Sequence, residues 1–358
     1  MTDAATIGQL QVLQRQYFQL VEPHSLNWLG EDTLKQPAIQ AWMFHGMFDA
    51  ESVKSPPPDR YQLRVLKMLI SKLERAIKDP EEDGISDDLM SAMSSLLFSN
   101  VPSEADSAQQ KAYVTYAFPD RSTNDSTSHD RTVTLLEARS VISSSGTTGL
   151  RTWEAALLLG SYFASPDGQT SIQGKRVFEL GAGTGVLSIL CAKYLGIAAI
   201  VATDGDEAVV DAIKTNFFLN ALDIDDSSHC VVRTAALKWG WPIDATTFHE
   251  DYGMEAPDVL VGADVTYDKS VIPRLVTTLR EFFELNPALR VLISATIRNE
   301  ETFETFLLAC KRNGFNIVQL DFPTVPEHHQ DGPFFPTHTP IQIWCITIGR
   351  ASKNPFSI

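Results

Sequence analysis

The chain has 358 residues, 44% hydrophobic and 21% charged, which suits one large globular domain or two ordinary ones with a sizeable core. Its formal net charge of -16 argues against general nucleic-acid binding, because an acidic surface repels phosphate backbones, and suits a basic partner surface. The opening Met-Thr-Asp-Ala-Ala-Thr has no basic segment ahead of an apolar one, and no apolar run reaches the ~18 residues of a membrane span. The four cysteines, Cys191, Cys230, Cys310 and Cys345, are too scattered for a zinc site or a disulfide framework, so no metal is expected. Three of them sit in apolar surroundings as buried thiols, and a reducing, cytoplasmic setting is expected.

The first hundred residues read as helices. One is expected over 10–20. A second, over 58–78, places Leu66, Ile70, Leu73 and Ile77 on one face, with Pro56-Pro57-Pro58 before it. A third, over 85–99, aligns Leu89, Met93 and Leu96–Leu97. Residues 112–118 and 131–138 are rich in β-branched and aromatic side chains and predict a hairpin joined by a long, mobile polar loop, 119–130. A helix follows near Leu150. The domains expected are an N-terminal helical region, 1–110, and an α/β domain, 111–358, that includes the hairpin 112–138.

From residue 175 strands and helices alternate: strand 175–180, helix 185–195, strand 198–203, helix 206–220, strands 229–237 and 258–263, helix 269–284, strand 290–297 and helix 300–313. This predicts a mainly parallel sheet with helices on both faces. The last strands, 315–322 and 341–349, have no helix between them and should pair antiparallel, giving seven strands.

The segment "VFELGAGTGVLSIL" (177–190) carries the strongest signal. Strand, glycine turn and helix make a site where free backbone N–H groups face a ligand. The dinucleotide fingerprint has glycines at its first, third and sixth positions. Here Gly181, Gly183 and Gly185 occupy the first, third and fifth, and the Gly-Lys-Ser/Thr of a phosphate loop is absent. Glu179, two residues before the first glycine, would repel a pyrophosphate and suits a cationic ligand such as S-adenosyl-L-methionine. Asp204 ends the next strand, about 20 positions on, where an acid commonly takes a ribose diol. Alternatively, Glu179 is a strand-end surface residue and Asp204 or Asp206 caps the next helix. Trp239, in "ALKWGWP", could lie against an adenine face, and Trp153 could wall the cofactor's methionine end; both could instead be core. Asp264 and Tyr267 follow the fourth strand, and the small Ala263 permits close approach. His328 and His329 are expected to be solvent-exposed.

Together, "ELGAGTG", Asp204, "LKWG" and Asp264-Val265-Thr266-Tyr267 resemble the seven-strand protein-lysine methyltransferases, with Asp264 to Tyr267 matching that family's Asp/Glu-x-x-Tyr/Phe motif. "TTGLRTWEAALLL", "ISATIRNEETFETF" and "LQRQYFQLVEPHSLNWL" are similar to segments of the lysine methyltransferases of eukaryotic elongation factor 2. The resemblance implies a seven-stranded Rossmann-like methyltransferase sheet with an antiparallel last strand. It also implies S-adenosyl-L-methionine contacts from Trp153, Glu179, Leu180, Gly181, Gly183, Asp204, Trp239 and Ala263. A lysine channel lined by Asp264 and Tyr267 follows from it as well, Asp264 acting as positioning residue or base. The substrate implied is folded elongation factor 2. A monomer is expected, with no nucleic-acid or membrane partner, and the N-terminal helices and the hairpin are expected to form the docking surface for the protein substrate. A methyltransferase for another protein or a small molecule is the alternative.

Overall fold

The computed structural model describes residues 3–79, 83–99, 110–120, 130–138, 148–222 and 230–349. Residues 121–129 of the expected hairpin loop lie outside them. The chain forms two compact units. The first comprises Met1–Arg151 with His328–Phe334, and the second Thr152–Glu327 with Phe335–Ile358. The hairpin, which the sequence attaches to the α/β domain, therefore groups with the N-terminal helices. The cause is packing, since its first strand lies against the first helix.

In the first unit, helix α1 (Ala4–Phe18) starts where the Asp3 carboxylate accepts from the Thr6 N–H at 2.9 Å. Short helices α2 (Glu31–Leu34) and α3 (Pro37–Met43) follow, the latter running into one π-helical turn, Phe44–Phe48. Helix α4 (Asp59–Ala76) begins directly after the three prolines and buries Val65, Leu66, Leu69 and Leu73 in the same core cluster as Leu10, Leu13 and Tyr17 of α1. Helix α5 (Asp87–Phe98) buries Leu89, but Leu97, expected on the same face, is exposed. Strands β1 (Lys111–Phe118) and β2 (Arg131–Ala138) pair antiparallel, and Arg15 of α1 grips Asp130 through two bonds of 2.7 Å.

The second unit is built on seven strands: β3 (Arg176–Leu180), β4 (Ala199–Asp204), β5 (Val231–Ala236), β6 (Val259–Ala263), β7 (Arg290–Thr296), β8 (Phe315–Gln319) and β9 (Ile341–Ile348). Their order is β5-β4-β3-β6-β7-β9-β8, parallel except for β9, which pairs antiparallel with both β7 and β8. The helices are α6 (Glu154–Ala164), α7 (Pro166–Ile172), α8 (Val186–Tyr194), α9 (Glu207–Leu219), α10 (Phe248–Tyr252), α11 (Ile272–Leu285) and α12 (Glu300–Arg312). Sequence reading leaves out α7 and α10, which are too short to show a period. For α7 a local signal existed in Ser165-Pro166, a cap followed by a proline in the first turn. Phe248 and Tyr252 of α10 close an aromatic cluster on Phe178 and Phe282. The thiols of Cys191 and Cys310 are buried, while Cys230 and Cys345 are only half-buried. No described helix is long and apolar enough to cross a membrane.

One consequence of this order positions the site. β3 has β4 on one side and β6 on the other, so the chain leaves β3 towards one edge of the sheet and leaves β6 towards the opposite edge. The two departing loops diverge and open a crevice at the carboxyl end of the sheet, where ligands of open α/β sheets bind.

Candidate active site

One wall of the crevice is the glycine turn. Gly181, Gly183 and Gly185 all take left-handed backbone, with φ of 63°, 56° and 81°. At Gly181 the need for glycine is doubled, because a Cβ would stand 3.0 Å from Val265 Cγ1 and 3.3 Å from Trp239 Cζ2. The turn is braced from outside. The Thr184 hydroxyl meets the Thr152 hydroxyl at 2.7 Å, and the Thr184 carbonyl accepts from Asn216 Nδ2 at 2.9 Å. Thr152 immediately precedes Trp153, the N-cap residue of α6, so this bond ties the half-buried Trp153 to the turn.

Glu179 is 2% exposed, which removes the surface alternative. Its carboxylate accepts from the Ser188 hydroxyl of α8. Burial pushes its pKa up from 4.5 to about 8; the Ser188 hydrogen bonds oppose that shift and the Asp204 charge adds to it. Asp204 accepts from the Gly183 N–H and the Asp206 N–H, each at 3.2 Å. Burial also raises its pKa, against those backbone bonds and with the Asp206 charge. Asp206, not Asp204, caps α9, accepting from the Ala208 N–H at 2.8 Å. Asp204 thus stays at the strand end, holding the glycine turn. Leu180 points its side chain into the core, leaving only its backbone to meet a ligand. Trp239 is half-buried with its ring edge over Gly181, so the aromatic and the turn are brought together.

The other wall follows β6. Ala263 is its last residue, and Asp264 adopts a φ of 52°. The Asp264 carboxylate accepts from the Thr296 N–H at 2.7 Å and the Thr296 hydroxyl at 3.0 Å. Burial raises its pKa, opposed by Thr296 and by the Arg298 charge, with Glu154 adding to the rise. Arg298 lies 3.4 Å from Asp264, 2.7 Å from Glu154 and 5.1 Å above the Trp153 ring. Tyr267 is 66% exposed at the outer end of this loop. His328 and His329 are exposed.

Sequence reasoning missed Ser188, Thr296, Glu154 and Arg298. Thr296 ends β7 and Arg298 follows it, both within a quoted segment; only the adjacency of β7 to β6 reveals their meaning.

A seven-strand sheet with one antiparallel strand, and a glycine turn and acidic loop facing each other at its switch point, defines a Rossmann-like methyltransferase. A family model described as lysine methyltransferase matches residues 136–313. Protein-lysine N-methyltransferase EFM3 of Chaetomium thermophilum is 45% identical, over 92% of this chain and 94% of that protein. The protein of the same name from Saccharomyces cerevisiae is 33% identical, over 61% of this chain and 66% of its own. Protein-lysine N-methyltransferase EEF2KMT of Homo sapiens is 29% identical, over 78% of this chain and 76% of its own. The chain belongs to this family of protein-lysine N-methyltransferases.

Proposed function

We propose that the crevice binds S-adenosyl-L-methionine and that the acceptor is a lysine of elongation factor 2. The observation that carries the cofactor is the charge at the glycine turn. Glu179 is buried there and Asp204 half-buried, and the charges acting on them are also negative, Asp204 on Glu179 and Asp206 on Asp204. That environment suits a ligand bearing an ammonium and a sulfonium and opposes a pyrophosphate. When bound, S-adenosyl-L-methionine supplies a methyl on a sulfonium, which a neutral amine can displace.

The residues divide the work. Glu179, the backbone of Leu180, Gly181 and Gly183, and Trp153 would hold the amino-acid end, Asp204 the ribose diol and Trp239 the adenine face. Ala263, with no side chain beyond Cβ, leaves room for the reacting groups. A lysine with a free pKa near 10.4 must lose a proton before it attacks, and a narrow dry channel favours the neutral amine. Because Thr296 occupies the Asp264 carboxylate from two sides, we assign Asp264 to positioning the lysine rather than to taking its proton. Tyr267 would offer its ring face to the incoming cation at the rim.

The acceptor rests on the resemblance of three separate segments to the elongation factor 2 enzymes. The acidic balance of the chain supports a basic protein surface as partner, with the N-terminal helices and hairpin as its docking site. Two assays test this reading. Titration with S-adenosylhomocysteine and with NAD should give binding only to the former. Intact elongation factor 2 should be methylated far faster than a short peptide spanning its target lysine. Equal rates would remove the docking role.

A further inference from the structure

Three elements meet around one guanidinium. Asp264 comes from the loop after β6, Glu154 from the first turn of α6, and Arg298 from the loop after β7. Arg298 Nη2 lies 2.7 Å from Glu154 Oε2 and Nη1 lies 3.4 Å from Asp264 Oδ2, while the guanidinium carbon sits 5.1 Å from the Trp153 ring centroid. The Arg298 side chain is 44% exposed, but Asp264 and Glu154 beneath it are 8% and 21% exposed. The guanidinium is therefore the solvent-facing cover of two acids.

That cover answers a difficulty in the chemistry. The amine must be neutral to attack, whereas a carboxylate beside it favours the ammonium. The charged groups acting on Asp264 are Arg298 and Glu154, one of each sign. Thr296, its remaining partner, is uncharged, and Lys269, further along the loop after β6, is paired with Glu301 of α12 at 2.7 Å. Without Arg298 the slot would present two carboxylates to the incoming lysine and hold it protonated. With Arg298 one of the two negative charges is offset, and Asp264 can orient the nitrogen while holding its proton less strongly.

We propose that Arg298 is a positioning residue for methyl transfer, which offsets one of the two negative charges of the Asp264–Glu154 pair so that the acceptor lysine loses its proton in the slot. The inference rests on the lysine-channel reading of Asp264. Arginine suits the role because it is always charged, and its planar group can bridge two carboxylates while lying on an indole. A half-exposed ion pair contributes little to stability, so a change in rate on substitution should not arise from unfolding.

The test compares full-length wild type, Arg298→Gln and Arg298→Lys. Initial rates of methyl transfer from S-adenosylmethionine to elongation factor 2 are measured across pH, together with S-adenosylhomocysteine affinity. For Arg298→Gln we expect kcat at neutral pH to fall about tenfold and the acidic limb of the profile to move about one unit towards alkaline pH. Part of the activity should return above that limb, with KM for the protein and S-adenosylhomocysteine affinity retained. Arg298→Lys, which keeps the charge, should restore most of the wild-type profile. An equal loss by Arg298→Gln at every pH, an equal loss in Arg298→Lys, or no loss at all would overturn the proposal. A wild type that binds S-adenosylhomocysteine but labels no lysine would overturn the channel reading, and this inference with it.

Discussion

Thr296 holds Asp264 at two points: its N–H donates at 2.7 Å and its hydroxyl at 3.0 Å to the two carboxylate oxygens. The clasp joins the ends of adjacent strands and fixes a side chain whose backbone, at φ 52°, already departs from the common regions. Thr296→Val removes the hydroxyl bond and keeps the backbone one, a loss of about 1 kcal/mol of positioning, or roughly fivefold in kcat. Asp264→Asn should abolish detectable transfer. Steady-state kinetics check both, and unchanged S-adenosylhomocysteine affinity is expected in each.

We assign Asp204 the complementary role. Its carboxylate braces the Gly183 N–H and the Asp206 N–H, both at 3.2 Å, and would face the ribose diol. Asp204→Asn should weaken S-adenosylhomocysteine binding by roughly 10- to 100-fold, the worth of charge-assisted hydrogen bonds. Calorimetric titration measures this directly. If Asp264→Asn weakened binding as much, the division between cofactor and lysine residues would fail.

The buried Glu179 predicts a pH dependence. Its pKa rises from 4.5 to about 8 through burial, so the ligand-free fold prefers the protonated form. A raised pKa stabilises the fold fully below the unfolded value, and that contribution is lost as pH climbs from there to the folded value, about 8. Thermal unfolding of the ligand-free protein should show less of this decline in Glu179→Gln. A cationic ligand reverses the preference, because it favours the carboxylate. Binding of S-adenosylmethionine at neutral pH should therefore release protons, seen as a binding enthalpy that depends on the buffer's ionisation enthalpy. Wild type and Glu179→Gln giving the same proton release would contradict this role.

Gly181→Ala tests the turn. The new methyl would meet Val265 at 3.0 Å and Trp239 at 3.3 Å from a backbone at φ 63°. A destabilisation of about 1–3 kcal/mol is expected, with loss of S-adenosylhomocysteine binding beyond what stability explains. Chemical denaturation and titration of the same sample separate the two.

Much of this is legible in the sequence. Strand 131–138 and the glycine turn stand where residue patterns put them, because β-branched enrichment and clustered glycines are local signals. The position of Trp239 over Gly181 follows from both residues lying beyond parallel strand ends. What sequence could not supply is adjacency. Arg298 is far from Asp264 in the chain and reaches it only because β7 pairs with β6. Glu179 reads as an acid at a strand end, and its burial depends on Ser188 arriving from the next helix. The hairpin reads as the start of the α/β domain, yet it packs with α1, a choice made by tertiary contact rather than by pattern.

The central claim is a cationic methyl donor at the glycine turn beside a slot for a lysine amine. Incubation of the wild-type protein with methyl-labelled S-adenosylmethionine and purified elongation factor 2, followed by peptide mapping, tests it most directly. The account predicts label on a lysine of elongation factor 2, absent with Asp264→Asn and with Asp204→Asn. Elongation factor 2 left unlabelled while the same preparation labels a different acceptor, or label that persists in Asp264→Asn, would contradict it.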